Sequence, residues 1–260
     1  MPEGDTLFRT AQGLRPYLVG RDILSARAQG PGPVPQIQRV VGKRVDAVEA
    51  QGKNLLIRFD GGLELRTHLR MNGSWHRYRP GERWRRPPGR ARLVLEVDGA
   101  VAVCFDAPVV ELFEARAEAL HPSLSRLGPD LLSPDFDAAE AHRRLREPER
   151  SSISISEALL DQRALAGIGN IWRNETLFAE RVDPFISVGD VDDATLDRLI
   201  ATARRLLNDS VRMPPGRAPM RVYRRAGRPC PQCGTAIRSA PLSAEIPRTT
   251  YWCPTCQGGS

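Results

Sequence analysis

Lysine is almost absent from this chain of 260 residues. Of 38 basic residues only Lys43 and Lys53 are lysines; the other 36 are arginines. A GC-rich coding sequence accounts for the bias, and the bias makes the two exceptions informative. Arginine serves wherever a plain positive charge suffices, so each surviving lysine is a candidate for a role arginine cannot fill. A buried lysine can lose its proton, whereas a guanidinium effectively cannot. No run of 18 apolar residues exists, which argues against a membrane span. The first residues carry charge at Glu3, Asp5 and Arg9 and lack an apolar signal core, so a cytoplasmic protein is expected. Internal repeats and low-complexity tracts are missing too. Acidic residues fall short of basic ones, leaving a net charge of +7 and a pI near 9.6. That balance favours a polyanionic partner, nucleic acid first and an acidic membrane surface second.

Cysteine is scarce, and four of the five are paired in sequence: Cys230 with Cys233, and Cys253 with Cys256, with 19 residues between the pairs. The spacing matches a four-cysteine zinc site. Two disulfides are the rival, disfavoured in a reducing compartment. Four thiolates close the coordination shell and leave no position for a reactive water, so a single structural Zn2+ is expected. Cys104, within an apolar run, reads as a buried core thiol.

The chain opens Met1-Pro2-Glu3. Removal of Met1 before a small proline leaves a secondary amine at the terminus. A chain α-amine has a pKa of about 7.7–8.0, against about 10.4 for lysine, so part of it is neutral and nucleophilic near pH 7. Such an amine can condense with an aldehyde-like carbon, and Glu3 stands next to it as an acid or base. Alone, this start is more often chance than catalysis.

Asp5 is expected to cap a helix with Leu7, Phe8, Ala11, Leu14 and Leu18 on one face, shortened or kinked by Pro16. From about 22 to 113 the pattern is β-like. Leu55 to Phe59 and Leu63 to Leu65 flank Asp60-Gly61-Gly62, and Arg92 to Val97 and Val101 to Phe105 flank Asp98-Gly99. An antiparallel sandwich or flattened barrel follows. Segment 77–92 carries seven arginines with Tyr78, Trp84 and three prolines; a solvated, mobile hairpin tip is expected there rather than a DNA-contacting loop. After about 121 the periodicity is helical, with helices from Ser154 through Leu160, after Gly169-Asn170, and over 192–210. Segment 212–229 reads as a linker, and a zinc module occupies 230–256. Gly167-Ile168-Gly169-Asn170 at a helix opening is of the type that binds phosphate, a weak signal alone.

These motifs occur in one order: Met1-Pro2-Glu3-Gly4, Gly52-Lys53, His68-Leu69-Arg70-Met71, Leu127-Gly128-Pro129-Asp130, Leu160-Asp161-Gln162 through Gly169-Asn170, and the four cysteines. Together they closely resemble the formamidopyrimidine-DNA glycosylase/endonuclease VIII family, over nearly the whole chain, and most of all its actinobacterial endonuclease VIII-like branch. The resemblance implies an α+β multidomain fold. Residues 1–120 would form an antiparallel β-sandwich catalytic domain with a leading helix, 121–225 a helix–two-turn–helix domain, and 226–260 a zinc-finger β-hairpin. It implies a bifunctional DNA glycosylase/AP lyase of base excision repair that removes oxidised bases. Pro2 matches the Schiff-base nucleophile, Glu3 a proton donor, Lys53 the proton donor linked to β-elimination, and Arg248 the arginine linked to δ-elimination. Arg70, Arg126 and Asn170 match DNA contacts, His68 is a further candidate, and Met71 matches a wedge that fills the gap left by a flipped nucleotide. The implied partner is damaged DNA, duplex or partly single-stranded, with no membrane and a monomeric protein.

Two departures stand out. Asp5-Thr6 replaces the Pro-Glu common in the family. Segment 106–111, Asp-Ala-Pro-Val-Val-Glu, lacks the arginine and aromatic of the purine-lesion branch, which argues for oxidised pyrimidines. The rival readings are a non-catalytic damaged-DNA-binding protein on the same fold, a tautomerase using an N-terminal proline, and a zinc-ribbon module on an unrelated enzyme. None of Pro2, Glu3 and Lys53 is missing, as the first would require. The other two leave the zinc finger or the N-terminal motif unexplained.

Overall fold

The computed structural model describes residues 2–31, 33–243 and 248–258, and the chain divides into two units, Met1–Arg126 and Leu127–Ser260. In the first, helix α1 (Gly4–Leu18) packs against two four-stranded antiparallel sheets. The strands are β1 (Ser25–Ala28), β2 (Val45–Gln51), β3 (Asn54–Phe59), β4 (Leu63–His68), β5 (Ser74–Tyr78), β6 (Ala91–Val97), β7 (Ala100–Phe105) and β8 (Val109–Glu114). One sheet has the order β1-β6-β7-β5 and the other β2-β3-β4-β8.

Alternation of side chains along a strand builds the sandwich. Leu93, Leu95 and Val97 face the core with Ala100, Ala102 and Cys104, and they meet Leu55, Ile57, Leu63 and Leu65 there. Leu7, Ala11, Leu14 and Leu18 of α1 join the same core, each large residue contributing about 1.5–3 kcal/mol on burial. Cys104 is fully buried, and its burial pushes the thiol pKa up, so it is an inert core group.

Two local expectations for α1 are corrected. The helix begins at Gly4 with Glu3 at the N-cap position, so Asp5 lies in the first turn. There it accepts from the Thr6 N–H at 2.8 Å and pairs with Arg9 one turn on at 3.0 Å. Pro16 does not end the helix before Leu18. It lies in the last turn, and the helix runs two residues past it despite the N–H that proline lacks.

The second unit holds α2 (Ala138–Leu145), α3 (Ile155–Ala158), α4 (Asn170–Ala179) and α5 (Asp193–Arg212), then a hairpin of β9 (Arg238–Pro241) and β10 (Thr249–Trp252), and α6 (Pro254–Gln257). The signals at the helix starts are realised. Ser154 and Glu157 form a reciprocal capping box, and Asp192 caps α5 through the Thr195 N–H at 2.8 Å. The α3 helix is a single turn ending at Ala158, shorter than the apolar pattern through Leu160 suggested. Leu159, Leu165, Ile168, Trp172, Leu177, Leu199, Ile200, Ala203 and Leu207 form the core around α4 and α5.

Segment 212–229 is not a free linker. The buried carboxylate of Glu175 accepts three backbone N–H groups, from Arg221 at 2.8 Å, Val222 at 3.0 Å and Tyr223 at 2.8 Å, and Val222 is fully buried. Among the described residues no helix is long and apolar enough to cross a membrane.

Candidate active site

Glu3 is fully buried at the head of α1, and its carbonyl accepts the N–H groups of Thr6 and Leu7. Pro2, half-buried, precedes it. Met1 and its removal lie outside the described residues.

Lys53 sits on the two-residue turn Gly52-Lys53 that joins β2 to β3, where Gln51 pairs with Asn54. Gly52 alone of the two has positive φ, at 59°, the pattern of a II′ hairpin turn that only glycine enters without strain. Asn54 closes the turn by donating to the Gln51 carbonyl at 3.0 Å. The Asn54 amide oxygen accepts from Nε of Arg66 at 2.9 Å, and Arg66 in turn reaches Glu111 Oε2 at 2.5 Å. Glu111 Oε2 also lies 3.1 Å from Nε2 of His121. The Ser123 N–H donates to His121 Nδ1 at 3.2 Å, so Nε2 carries the proton given to Glu111. A chain of polar side chains therefore runs from the Lys53 turn, across the outer face of β4 and β8, to the segment that ends in exposed Arg126.

His68 is the cross-strand partner of Asn54. Burial, with Arg66, Arg70 and Lys53 nearby, lowers its pKa to about 4, so the ring is neutral at pH 7. Nδ1 accepts the Arg70 N–H at 3.1 Å, which leaves Nε2–H as a donor. A neutral donor of this kind suits a phosphate oxygen. Arg70 and Met71 follow on an exposed turn, with Arg70 in the left-handed region at φ 44° and Met71 56% exposed.

Segment 77–92 is largely exposed, as expected of a solvated tip, but its aromatic residues anchor it to the sheet. Trp84 stacks on Tyr78 with centroids 6.1 Å apart and meets Phe105 edge-on at 5.8 Å. These rings cover Val94, Val101 and Val103, which alternation turns away from the sandwich core. An apolar outer sheet face needs such a cover, and the aromatic residue in this loop supplies it.

In the second unit Asn170 is the first residue of α4, after Gly169 at the cap. Its amide nitrogen donates to the Thr249 carbonyl at 3.1 Å, and fully buried Arg173 donates to its amide oxygen at 2.6 Å. Asn174 accepts the Tyr251 N–H at 2.7 Å. The start of α4 is thus bonded to β10, the strand that follows Arg248. Gln162 holds the preceding loop, donating to the Ile168 carbonyl at 3.0 Å and accepting the Gly167 N–H at 3.1 Å. In the Leu127-Gly128-Pro129-Asp130 motif Gly128 packs against the same loop, where an added Cβ would stand 2.5 Å from the Ala164 carbonyl oxygen. Arg248 is half-buried just ahead of β10, its carbonyl accepting the Leu242 N–H at 2.7 Å.

Sulfur atoms of Cys230, Cys233, Cys253 and Cys256 lie within 4.8 Å of one another. Cys233 and Cys253 are 3.4 Å apart, Cys230 and Cys256 3.8 Å. A tetrahedron with metal–sulfur bonds of about 2.3 Å has edges of roughly 3.8 Å, so the four thiolates can hold one metal ion.

The chain matches two family models, the formamidopyrimidine-DNA glycosylase N-terminal domain over residues 1–108 and the formamidopyrimidine-DNA glycosylase H2TH domain over 127–220. It is 39% identical over 270 residues to a probable endonuclease 8 2 of Streptomyces coelicolor, covering 100% of this chain and 95% of that one. It is 36% identical over 272 residues, with both chains fully covered, to a DNA-(apurinic or apyrimidinic site) lyase of Mycolicibacterium smegmatis. Its fold is that of the MutM (Fpg) protein from Thermus thermophilus, with a TM-score of 0.84, 30% identity and 100% of each chain covered. The chain belongs to the formamidopyrimidine-DNA glycosylase/endonuclease VIII family.

Proposed function

We propose that this protein is a bifunctional DNA glycosylase/AP lyase of base excision repair, acting in the bacterial cytoplasm on oxidised bases in DNA, with pyrimidines favoured. The observation that carries the reading is the full-length match to an endonuclease 8 and to an AP lyase, on a chain that keeps Pro2, buried Glu3 and one of its two lysines at the Gly52-Lys53 turn.

The target nucleotide leaves the stack at a cost of a few kcal/mol, because C1′ is shielded inside a duplex. Met71 fills part of the gap it leaves. With Met1 removed, the Pro2 nitrogen attacks C1′ and the C1′–base bond breaks; the nitrogen then gives up its own proton and the C1′–O4′ bond of the sugar opens, with Glu3 supplying a proton to the departing base or the opening sugar. The resulting iminium acidifies the 2′ hydrogens. Loss of one, assisted by Lys53, which also exchanges a proton during base release, expels the 3′ phosphate, and Arg248 assists loss of the 5′ phosphate. Arg70, Arg126, Asn170 and His68 hold phosphates. The absence of arginine and aromatic residues in 106–111 supports the preference for pyrimidines. The expected partner is damaged DNA bound by a monomer. A panel of oligonucleotides, each with one lesion, tests this by reading base release and strand cleavage together. Base release from an oxidised pyrimidine is expected to exceed that from an oxidised purine, with a β,δ-elimination end. DNA binding without base release would leave only the non-catalytic reading.

The ion at the four cysteines is proposed to be a structural Zn2+, which organises the β9–β10 hairpin and takes no part in bond making. Cys253→Ser is expected to release the metal. A structural zinc contributes about 10–16 kcal/mol to a small domain of this size, so the hairpin is expected to disorder and DNA affinity to fall. The first unit, with its own core, stays folded. Metal analysis, circular dichroism and a binding titration check this, and full activity after complete loss of zinc would overturn it.

A further inference from the structure

The turn that presents Met71 is held from outside its own sequence. Leu69 is buried, and its carbonyl accepts the Gly73 N–H at 2.9 Å. A Cβ on Gly73 would stand 2.6 Å from that same oxygen, so only glycine closes the turn. Between them Arg70 is in the left-handed region, a conformation that persists where surrounding contacts enforce it. One such contact comes from the arginine-rich loop. Nη1 of Arg86 donates to the Asn72 carbonyl at 3.3 Å and to Asp106 Oδ2 at 2.5 Å. Asp106 is itself left-handed at φ 53°, and its second oxygen accepts from Nε of Arg90 at 2.8 Å while its N–H donates to the Arg90 carbonyl at 3.0 Å. The Arg90 and Arg86 guanidiniums hold the Asp106 carboxyl below its ordinary range, so it is ionised at neutral pH. The loop that carries both arginines is fixed in turn by Trp84 on Tyr78 and Phe105, and by the Arg85 N–H on the Tyr78 hydroxyl at 3.0 Å.

We propose that the Arg86–Asp106 pair is a positioning device for the Met71 turn, which presets the turn for insertion into a paired duplex. The proposal rests on the reading of Met71 as a wedge. Both bonds leave a single nitrogen, Nη1, whose two N–H directions are fixed in the guanidinium plane, whereas an ammonium on a flexible stem has no such fixed directions. A preset turn helps most where stacking opposes extrusion of the nucleotide. It helps least where the target is already unpaired.

The test compares Arg86→Ala, Arg86→Lys and Asp106→Asn with wild type in single-turnover base release. The same oxidised pyrimidine is placed in a fully paired duplex and in an unpaired bubble. Asparagine tolerates the left-handed backbone, so Asp106→Asn removes the charge without added strain. Arg86→Ala and Asp106→Asn are expected to lower the paired-to-bubble rate ratio roughly tenfold, about 1.4 kcal/mol. Arg86→Lys should recover less than half of that loss, and the double variant should lose no more than the larger single loss. Arg83→Ala, an exposed residue of the same loop, serves as the control with unchanged rates. Amide exchange at Gly73 gives a readout independent of catalysis and is expected to quicken in Arg86→Ala. A ratio and an exchange rate both equal to wild type would overturn the proposal, as would equal losses on the two substrates. A wild-type chain inactive on every substrate would instead sink the glycosylase reading, and Gly73 exchange would then decide the positioning role alone.

Discussion

One extra residue left ahead of Pro2 abolishes covalent capture of the protein on abasic DNA: this is the expected result of borohydride trapping. Trapping depends on a single nitrogen. With Met1 removed, Pro2 offers a secondary amine whose proton affinity, about 7.7–8.0 on the pKa scale, leaves part of it unprotonated at neutral pH. That nitrogen condenses with C1′ of the opened sugar, water leaves, and hydride reduces the iminium to a stable amine. An extra residue turns the nitrogen into an amide, whose lone pair is delocalised into the carbonyl and cannot attack. Trapping is expected to fall by a factor on the order of 10³ or more, the scale on which removal of a nucleophile acts. Pro2→Gly is the weaker test, because it keeps a terminal amine and some trapping. Glu3 is buried at the head of α1 while its backbone carbonyl starts the helix, so a longer N-terminus need not disturb the helix itself. Equal trapping by the blocked and the mature chains would falsify the assignment of the nucleophile.

The fold was legible where it follows from local alternation. Leu93, Leu95 and Val97 alternate with residues of the opposite face, and turns such as Asp60-Gly61-Gly62 mark the strand ends, so the sandwich could be expected from the sequence. The cysteine spacing and the Ser154–Glu157 capping box were legible for a similar reason, because each is a pattern within a few residues whose chemistry has few solutions. The polar networks were not. Asn54, Arg66, Glu111 and His121 are joined by bonds spanning 12, 45 and 10 residues of sequence, and no periodicity encodes which polar groups meet across a sheet. Arg86 was hidden in a run of seven arginines, where composition marks a basic loop but cannot single out the one that reaches Asn72 and Asp106. Arg173 and Glu175 were missed because charged side chains on a helix usually face water. Both are buried here, bonded to segments more than 40 residues away: Arg173 to the Thr249 carbonyl, Glu175 to the backbone at 221–223. The signal available was a charge on each of two sides of a short helix that also carries Trp172, Leu177 and Phe178, which leaves little room for both charges to face water.

The scarcity of lysine sets up the sharpest separation of base excision from strand cleavage. Lys53 is held on a closed two-residue turn, with its neighbour Asn54 bonded on both sides. His68 nearby is neutral at working pH, its pKa lowered to about 4, so it can donate a hydrogen bond but supplies no cationic acid. In the proposed scheme Lys53 is the group at that turn that exchanges the proton. Arginine there would keep the charge and lose the exchange, because guanidinium retains its proton across the working range. Lys53→Arg is expected to lower base release from an intact lesion by about 10²–10⁴-fold, the span typical of a positioned acid or base. A preformed abasic site needs no base release, and cleavage there is expected to fall less. Arg248 acts on a later step in this scheme. Arg248→Ala should leave Schiff-base trapping close to wild type and shift the product from the β,δ toward the β-elimination end. A gel that resolves the two 3′ ends on abasic duplex, run beside a base-release assay, reads both outcomes. Wild-type base release by Lys53→Arg would remove Lys53 from the chemistry. An unchanged product ratio in Arg248→Ala would remove Arg248 from δ-elimination, leaving it a DNA contact on the hairpin.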